Sequence, residues 1–437
     1  MMHSSSEKKK LFDRLKKEYK QRDRYHFLSG LGEGGLAVVS SCFDKVLNRV
    51  VAVKELKRSK RNNPHLLRAF VTEAKLVSYL DHPGIVPIYD TFFERNNKLC
   101  YSMKLIEGMR LTSLLKYRSR GKGDTKGVPL SKLIEIFMKI CETLAYVHDK
   151  GVIHLDIKPD NVLIGKYGEV FIMDWGNARL YNQKPYFEYF NQHMDDIKLA
   201  NLEKEAEHMI LGTPHYMSPE QTSKSRAELT PSSDIFSAGI ILYQMLTGTH
   251  PFGHVDETRE IMMEIRSFRP KPAHKVNSDI PLRVSMICEH MLEKDRRLRY
   301  HSFKEVLEDL DDFYNSGQAF ETRTYKPGEA IVKEGDIGDY SFKILSGKVE
   351  VTKKSNGKKK VLAELGEDEI FGELAIFTKQ PRTATVTALQ TTTIRIMDRE
   401  SVEKELEKLS PWVGYMITSL SNRFIEMNDK ILKLEKE

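Results

Sequence analysis

Three side chains on one short stretch could do chemistry together. In His154-Leu155-Asp156-Ile157-Lys158-Pro159-Asp160-Asn161, a carboxylate is followed by an amine two residues on and a carboxamide five residues on. Held on one tight loop, these groups suit phosphoryl transfer. Asp156 can orient an attacking hydroxyl and accept its proton, Lys158 can neutralise the moving phosphate, and Asn161 can hold a magnesium ion. Asp174, ahead of Trp175-Gly176, is a second carboxylate able to chelate the cation across the phosphates. An Asp before an aromatic means nothing alone; its spacing from Asn161 makes it specific.

These groups need elements to position them. Leu130 to Lys150 reads as a helix feeding the loop, and Val162–Gly165 with Val170–Met173 as a hairpin delivering Asp174. Upstream, Leu31-Gly32-Glu33-Gly34-Gly35-Leu36-Ala37-Val38-Val39 leads into a strand, and Arg49-Val50-Val51-Ala52-Val53-Lys54 into another. A dinucleotide fold would need a helix after the glycines. Two strands joined over glycines make a flap whose backbone can lie on a triphosphate. Lys54 then needs a carboxylate partner. Leu66 to Leu80 has helical periodicity and holds Glu73 mid-helix, ahead of the stop Asp81-His82-Pro83-Gly84. Strand-like Lys98–Met103 runs into Lys104-Leu105-Ile106-Glu107-Gly108.

With these motifs in order, residues 24–313 resemble a bacterial Hanks-type serine/threonine protein kinase, an α+β bilobal fold. The resemblance implies ATP with Mg2+ (or Mn2+), and protein substrates carrying Ser or Thr. Gly32 and Gly34 become the first two glycines of the glycine-rich loop, Ala37 standing for the third; Val39 and Ala52 flank the nucleotide. Lys54 and Glu73 become the phosphate-anchoring pair, and Met103 the gatekeeper. Backbone groups near Lys104 and Ile106 take the adenine. Asp156 and Lys158 are catalytic, and Asn161 and Asp174 hold metal, with Trp175 replacing the usual Phe. Gly212-Thr213-Pro214-His215-Tyr216-Met217-Ser218-Pro219-Glu220 closes the activation segment. Glu220 is expected to pair with Arg299, Asp234 to accept backbone donors from the catalytic loop, and Lys158 with Thr213 to mark Ser/Thr specificity.

One departure is informative. Leu155 stands where most kinases carry an Arg that receives an activation-loop phosphate. From Trp175 to Gly212 there is no Ser or Thr. Receptor and acceptors are both missing, so the expectation is a kinase not switched by Ser/Thr phosphorylation in that segment.

After residue 313 the pattern changes. A linker is expected at 314–322, then, over 323–437, short strands with glycine turns that suggest a small β-barrel, jelly-roll-like, with C-terminal helices. Ile370-Phe371-Gly372-Glu373-Leu374-Ala375-Ile376 and Pro381-Arg382-Thr383-Ala384 resemble the phosphate-binding cassette of a cyclic-nucleotide-binding domain. Gly372 would let the N–H groups of a short helix start approach a cyclic phosphate. Arg382 would neutralise it through a planar fork, and Glu373 would accept the ribose 2′-hydroxyl. Thr383 tilts the choice toward cyclic GMP over cyclic AMP. Val413, Met416, Leu420, Phe424, Met427, Ile431 and Leu434 approach a heptad pattern. The helix they define is expected either to fold back as a lid, with Trp412 or Tyr415 as cap, or to form a homodimer.

The bulk properties set outer bounds. The 437 residues suffice for two cores. Four scattered cysteines argue for a reducing compartment and against a disulfide frame or zinc site. No apolar run reaches membrane-spanning length, and the basic stretch 1–23 has no apolar core of a signal peptide. A net charge of +7 is mild. The expectation is a cytoplasmic enzyme, no DNA as partner, regulated in cis by a cyclic nucleotide. Two rivals stay open: a pseudokinase scaffold, and an active kinase whose barrel only docks or dimerises.

Overall fold

The computed structural model describes residues 13, 24–94, 98–119, 128–181, 213–222, 229–253, 257–315, 320–355, 358–378, 380–399, 402, 403, 406 and 410–434. The basic leader (bar residue 13), most of the activation segment with its 195–207 insert, and residues 120–127 lie outside them. The chain divides into two compact units, breaking between Ser316 and Gly317.

The first unit opens with a five-stranded antiparallel sheet: β1 (Tyr25–Glu33), β2 (Ala37–Asp44), β3 (Arg49–Leu56), β4 (Ile88–Glu94) and β5 (Lys98–Lys104), in the order β1-β2-β3-β5-β4. Strand side chains alternate between faces, and the sheet uses both. Val51 and Val53 of β3 join Tyr25, Cys42, Phe92 and Cys100 in one core. Leu56 joins Leu99 and Tyr101 on the other face, against Leu67, Phe70, Val71 and Ala74 of helix α1 (Pro64–Tyr79). Alternation therefore gives Ala52 and Lys54 to the α1 side. Helix α1 starts where it does because Asn63 accepts from the backbone N–H groups of His65 and Leu66, with Pro64 in the first turn.

A three-stranded sheet of β6 (Gly108–Arg110), β8 (Val162–Gly165) and β9 (Val170–Ile172) follows, in the order β6-β8-β9, and β7 (Val152–Ile153) pairs with β10 (Arg179–Leu180). Around them run α2 (Leu111–Ser119), α3 (Leu130–Asp149), α4 (Pro231–Thr247), α5 (Thr258–Ser267), α6 (Ala273–Val276), α7 (Leu282–Met291) and α8 (Phe303–Asn315). Helix α4 is buried along nearly its whole length and ends at Gly248, in the left-handed conformation that closes a helix. Helix α2 runs as far as Ser119. The expected linker is shorter at its start. Helix α8 runs to Asn315, and the Tyr314 hydroxyl donates to Glu135 at 2.9 Å, which extends the helix past Phe313.

The second unit is built from two antiparallel four-stranded sheets. One takes β11 (Thr322–Tyr325), β18 (Thr392–Asp398), β13 (Tyr340–Ser346) and β16 (Ile370–Phe371); the other β12 (Ala330–Val332), β17 (Thr385–Ala388), β14 (Val349–Ser355) and β15 (Lys358–Leu365), in those orders. Phe342, Ile344, Val349, Phe371, Val386 and Ile394 make its core. A short helix α9 (Glu373–Thr378) leaves β16, and a long helix α10 (Pro411–Leu434) follows. On α10, Ser421 is buried and Val413 and Ile417, spaced one turn apart, are half-buried. Met416, Leu420, Phe424 and Met427 are exposed, as are Trp412 and Tyr415.

All four cysteines are buried, and none is in a disulfide. Among the described residues no helix is long and apolar enough to cross a membrane.

Candidate active site

The register of the first sheet builds one wall of a cleft. Gly32 stands opposite Val39, Val39 opposite Lys54, and Lys54 opposite Tyr101, so four strands contribute to a single cross-strand row. Ala52 opposite Met103 makes a second row. Lys54 Nζ meets Glu73 Oε1 at 2.6 Å and lies 3.6 Å from Asp174 Oδ1. The Tyr101 hydroxyl donates to the same Glu73 oxygen at 3.1 Å. Burial alone would lower the Lys54 ammonium; the charges of Glu73 and Asp174 overcome it and raise it well above the ordinary range.

The catalytic stretch is held by its backbone. Asp234, fully buried on α4, accepts from the N–H of His154 and of Leu155, each at 2.8 Å, and meets His148 Nε2 at 2.9 Å. Burial would raise this carboxyl, but His148 and the backbone donors hold it below its usual value. Leu155 takes φ 63°, a left-handed backbone that costs a non-glycine residue about 1–3 kcal/mol. Its N–H is bound by Asp234 and its carbonyl accepts from Gln221 Nε2 at 2.9 Å, which fixes the strained geometry from both sides. The bend lets the next residue, Asp156, face the groups that bind it.

Both Asp156 oxygens are engaged. Lys158 Nζ donates to Oδ2 at 2.9 Å and Asn161 Nδ2 at 3.2 Å; the Thr213 backbone N–H donates to Oδ1 at 3.0 Å. Lys158 also reaches the Thr213 hydroxyl at 2.6 Å. Asn161 Nδ2 further donates to the Asp156 carbonyl at 2.8 Å. Asp174 is left-handed too, φ 63°. The buried Trp175 next to it donates its indole N–H to the Ile172 carbonyl, and its ring lies 4.5 Å from that of His154.

A cleft of about 550 Å³ joins these walls. Gly32, Gly34, Val39, Ala52, Lys54, Glu73, Met103, Lys104, Ile106, Asn161 and Asp174 all line it. Asp156 is not among the lining residues but is bonded to Asn161, which is. Glu220 and Arg299 lie apart from the cleft. Arg299 is fully buried, its Nη1 3.0 Å from Glu220 Oε1, and Ser233 donates to the same carboxylate oxygen at 2.8 Å. Burial would raise Glu220, and Arg299 more than reverses that.

In the second unit Gly372 takes φ +78°, and a Cβ there would come 2.6 Å from Arg382 Nη1. Arg382 Nη1 donates to the Gly372 carbonyl at 2.7 Å and Nη2 to that of Tyr340 at 2.6 Å. Glu373 opens α9, its carboxyl raised by burial against the opposing pull of Arg382. Leu374 and Ala375 follow on that helix, Ala375 buried, and Thr383 is half-buried beside Arg382.

Sequence reading missed Tyr101, Gln221, His148 and Tyr340. Tyr101 lies two residues before Met103 on the same strand face, a signal alternation could have supplied. The others act across distant segments and left none.

Residues 25–310 match the family described as Protein kinase domain, and residues 322–408 the one described as Cyclic nucleotide-binding domain. The chain belongs to the protein kinase family. Its relatives include the serine/threonine-protein kinase PknD of Protochlamydia amoebophila, 34% identical over 67% of this chain and 30% of that protein. PknD of Chlamydia pneumoniae is 32% identical over 70% of this chain and 32% of its own length. The chain spans about a third of the length of these curated relatives.

Proposed function

We propose that this chain is an ATP-dependent serine/threonine protein kinase, regulated in cis by a cyclic nucleotide bound to its second unit. The observation that carries the kinase reading is the gathering of Lys54, Asn161 and Asp174 on one cleft, with Asp156 bonded to Asn161. Asp156, oriented by Lys158, Asn161 and Thr213, accepts the proton of the substrate hydroxyl. Lys158 lies where it can neutralise the transferred phosphate. Asn161 commits its amide nitrogen to Asp156, which leaves its side-chain oxygen uncommitted to that residue; Asn161 and Asp174 both line the cleft and offer hard oxygen donors of the kind Mg2+ takes. When bound, the cation supplies charge neutralisation along the triphosphate. Lys54 stays cationic at any working pH and anchors phosphate oxygens, while Met103, Lys104 and Ile106 border the adenine.

Loss of autophosphorylation from labelled ATP in Asp156→Asn, with nucleotide binding retained, supports this reading. Undiminished phosphorylation in that variant overturns the role of Asp156, and wild type that binds nucleotide without transferring phosphate restores the scaffold alternative. Protein substrates bearing Ser or Thr fit the Lys158–Thr213 pair, and the cytoplasm is the compartment assigned.

The cyclic-nucleotide half rests on Gly372, Glu373 and Arg382 converging at the start of α9, with Thr383 favouring cyclic GMP over cyclic AMP. Control of activity follows only if the ligand binds two states of the protein differently. Titrating fluorescent cyclic nucleotides against wild type and Arg382→Ala, and activity against the better ligand, tests both parts. A second reading is favoured by the exposed apolar residues of α10: homodimerisation through that helix, checked by sedimentation of wild type and Leu420→Glu.

A further inference from the structure

Both faces of the first sheet are closed to water, but the described residues supply a cover for only one. Helix α1 gives Leu67, Phe70, Val71 and Ala74 to the core on its side. The core on the other side is Tyr25, Cys42, Val51, Val53, Phe92 and Cys100, drawn from all five strands, and each of these described members belongs to the sheet itself. Side chains on one sheet face all point the same way, so a second layer has to lie over them to keep them dry. Phe92 and Cys100 are nevertheless 0% exposed and Val51 1%. The polar groups there turn to each other: the Tyr25 hydroxyl meets Ser102 Oγ at 2.9 Å, both residues buried, and the Tyr25 ring stacks on Phe92 at 4.5 Å. This burial is reached within a single chain, so the covering layer is part of it.

The way the chain enters the sheet points to that layer. Arg24, just before β1, donates through Nε and Nη2 to Asp44 at 2.5 and 2.6 Å, and its carbonyl accepts from the Lys45 N–H. Asp44 is fully buried and by alternation shares the face of Cys42. The basic leader is thus pinned, at its exit, to the rim of the closed face. Closure is also greatest beside the pin. Tyr25 is buried, whereas Phe27, next along β1 on the same side, is 61% exposed.

Within the leader, Leu11, Leu15 and Tyr19 recur every fourth residue, which places them along one side of a helix. Asp13 is helical and exposed; two residues from either leucine, it falls on the opposite side. A helix over residues 11–22 is about 18 Å long, and five strands side by side span about 19 Å.

We propose that the basic leader docks in cis as this second layer, an amphipathic helix lying across the outer face of the first sheet with Leu11, Leu15 and Tyr19 on the core of Tyr25, Val51 and Phe92. Strand β3 sends Val51 and Val53 into that core and Lys54 to the opposite side, so the leader braces the strand that presents Lys54 to the cleft. The inference uses only the packing of the sheet and stands apart from the kinase and cyclic-nucleotide readings.

The buried thiols are built-in probes. Cys42 on β2 and Cys100 on β5 lie under the proposed helix, while Cys141 on α3 and Cys288 on α7 are buried elsewhere in the first unit. The full chain is treated with iodoacetamide under native conditions, and each cysteine is followed by peptide mass spectrometry. All four are expected to resist in wild type. Joint Leu11→Glu, Leu15→Glu and Tyr19→Glu is expected to speed labelling of Cys42 and Cys100 by about tenfold or more, with Cys141 and Cys288 as in wild type. Asp13→Lys, on the outward side, is expected to change none of them. A triple variant that labels all four alike has unfolded, and the milder Leu15→Ala then decides: faster labelling of Cys42 and Cys100 alone supports the docking, and unchanged labelling overturns it. Cys42 and Cys100 that stay inert in a folded triple variant overturn the proposal, the result if residues 195–207 or another segment were the cover. Wild-type protection that is lost on dilution also overturns it, in favour of a second copy of the chain.

Discussion

Lys54 and Arg382 are both largely buried cations, held in opposite ways. Lys54 meets a carboxylate, Glu73, at 2.6 Å, with Asp174 close behind. Arg382 donates instead to two backbone carbonyls, of Gly372 and Tyr340. A carboxylate cancels the formal charge of its partner and fixes its position. Carbonyl dipoles fix position without cancelling the charge, so the direct partners an arriving phosphate displaces are neutral, while Asp339, Asp336 and Glu373 act on Arg382 only through their longer-range charge. The first site is assembled by mutual pairing and stays assembled. The second is poised for an anion. Arg299 combines both plans, with Glu220 at 3.0 Å and the carbonyl of Glu293 on its Nε at 2.9 Å, and its burial is complete.

Four measurements break or sharpen this contrast. The largest effect is expected from Asp156→Asn, which removes the proton acceptor and lowers turnover on the order of 10³-fold, read from single-turnover phosphate transfer. Glu220→Gln leaves Arg299 buried without its counter-charge. A loss of about 3 kcal/mol is expected in the unfolding of the kinase unit, followed by urea denaturation with fluorescence. If Arg299 loses nothing, its carbonyl partners suffice, and the distinction between the two plans fails.

Arg382→Ala is expected to weaken cyclic-nucleotide binding by about tenfold or more, the worth of hydrogen bonds to a charged group, in equilibrium fluorescence titration. Arg382→Lys keeps the charge but loses the fork to Gly372 and Tyr340, so intermediate binding is expected. The smallest effect concerns pH. Asp234 has its carboxyl held below the unfolded value. Its stabilisation is therefore fully present above the ordinary carboxylate range and is lost as pH falls through the folded-state value. Asp234→Asn is expected to lower the melting temperature at neutral pH and to narrow its difference from wild type in acid.

The catalytic stretch was legible because its chemistry is local: Asp156, Lys158 and Asn161 lie within one turn of chain, and their types name the reaction. The β3 lysine and the α1 glutamate were legible as motif positions. The helical periodicity of residues 66–80 also placed Glu73 mid-helix. Less could be read where contact is made across chain. Gln221 holds the carbonyl of Leu155 from the segment after Thr213, and nothing in either sequence neighbourhood announces it. The start of the linker was placed at residue 314, yet helix α8 runs to Asn315, because Tyr314 is held by its hydroxyl on Glu135, a contact made far across the chain. On α10, the heptad-like positions read as a lid or a dimer seam. Half-burial fell to Val413 and Ile417 and burial to Ser421, leaving most heptad positions in solvent.

By itself the sequence determined the kinds of groups available and the short-range order in which the chain delivers them. Periodicity and spacing depend on neighbours a few residues away. Only the tertiary structure decided that Lys54 meets Glu73 and Asp174 over one cleft, that Leu155 is bent by Asp234, and that Arg382 turns to carbonyl oxygens. Those outcomes depend on strand register and burial, which bring together residues too far apart in the chain for local pattern to relate.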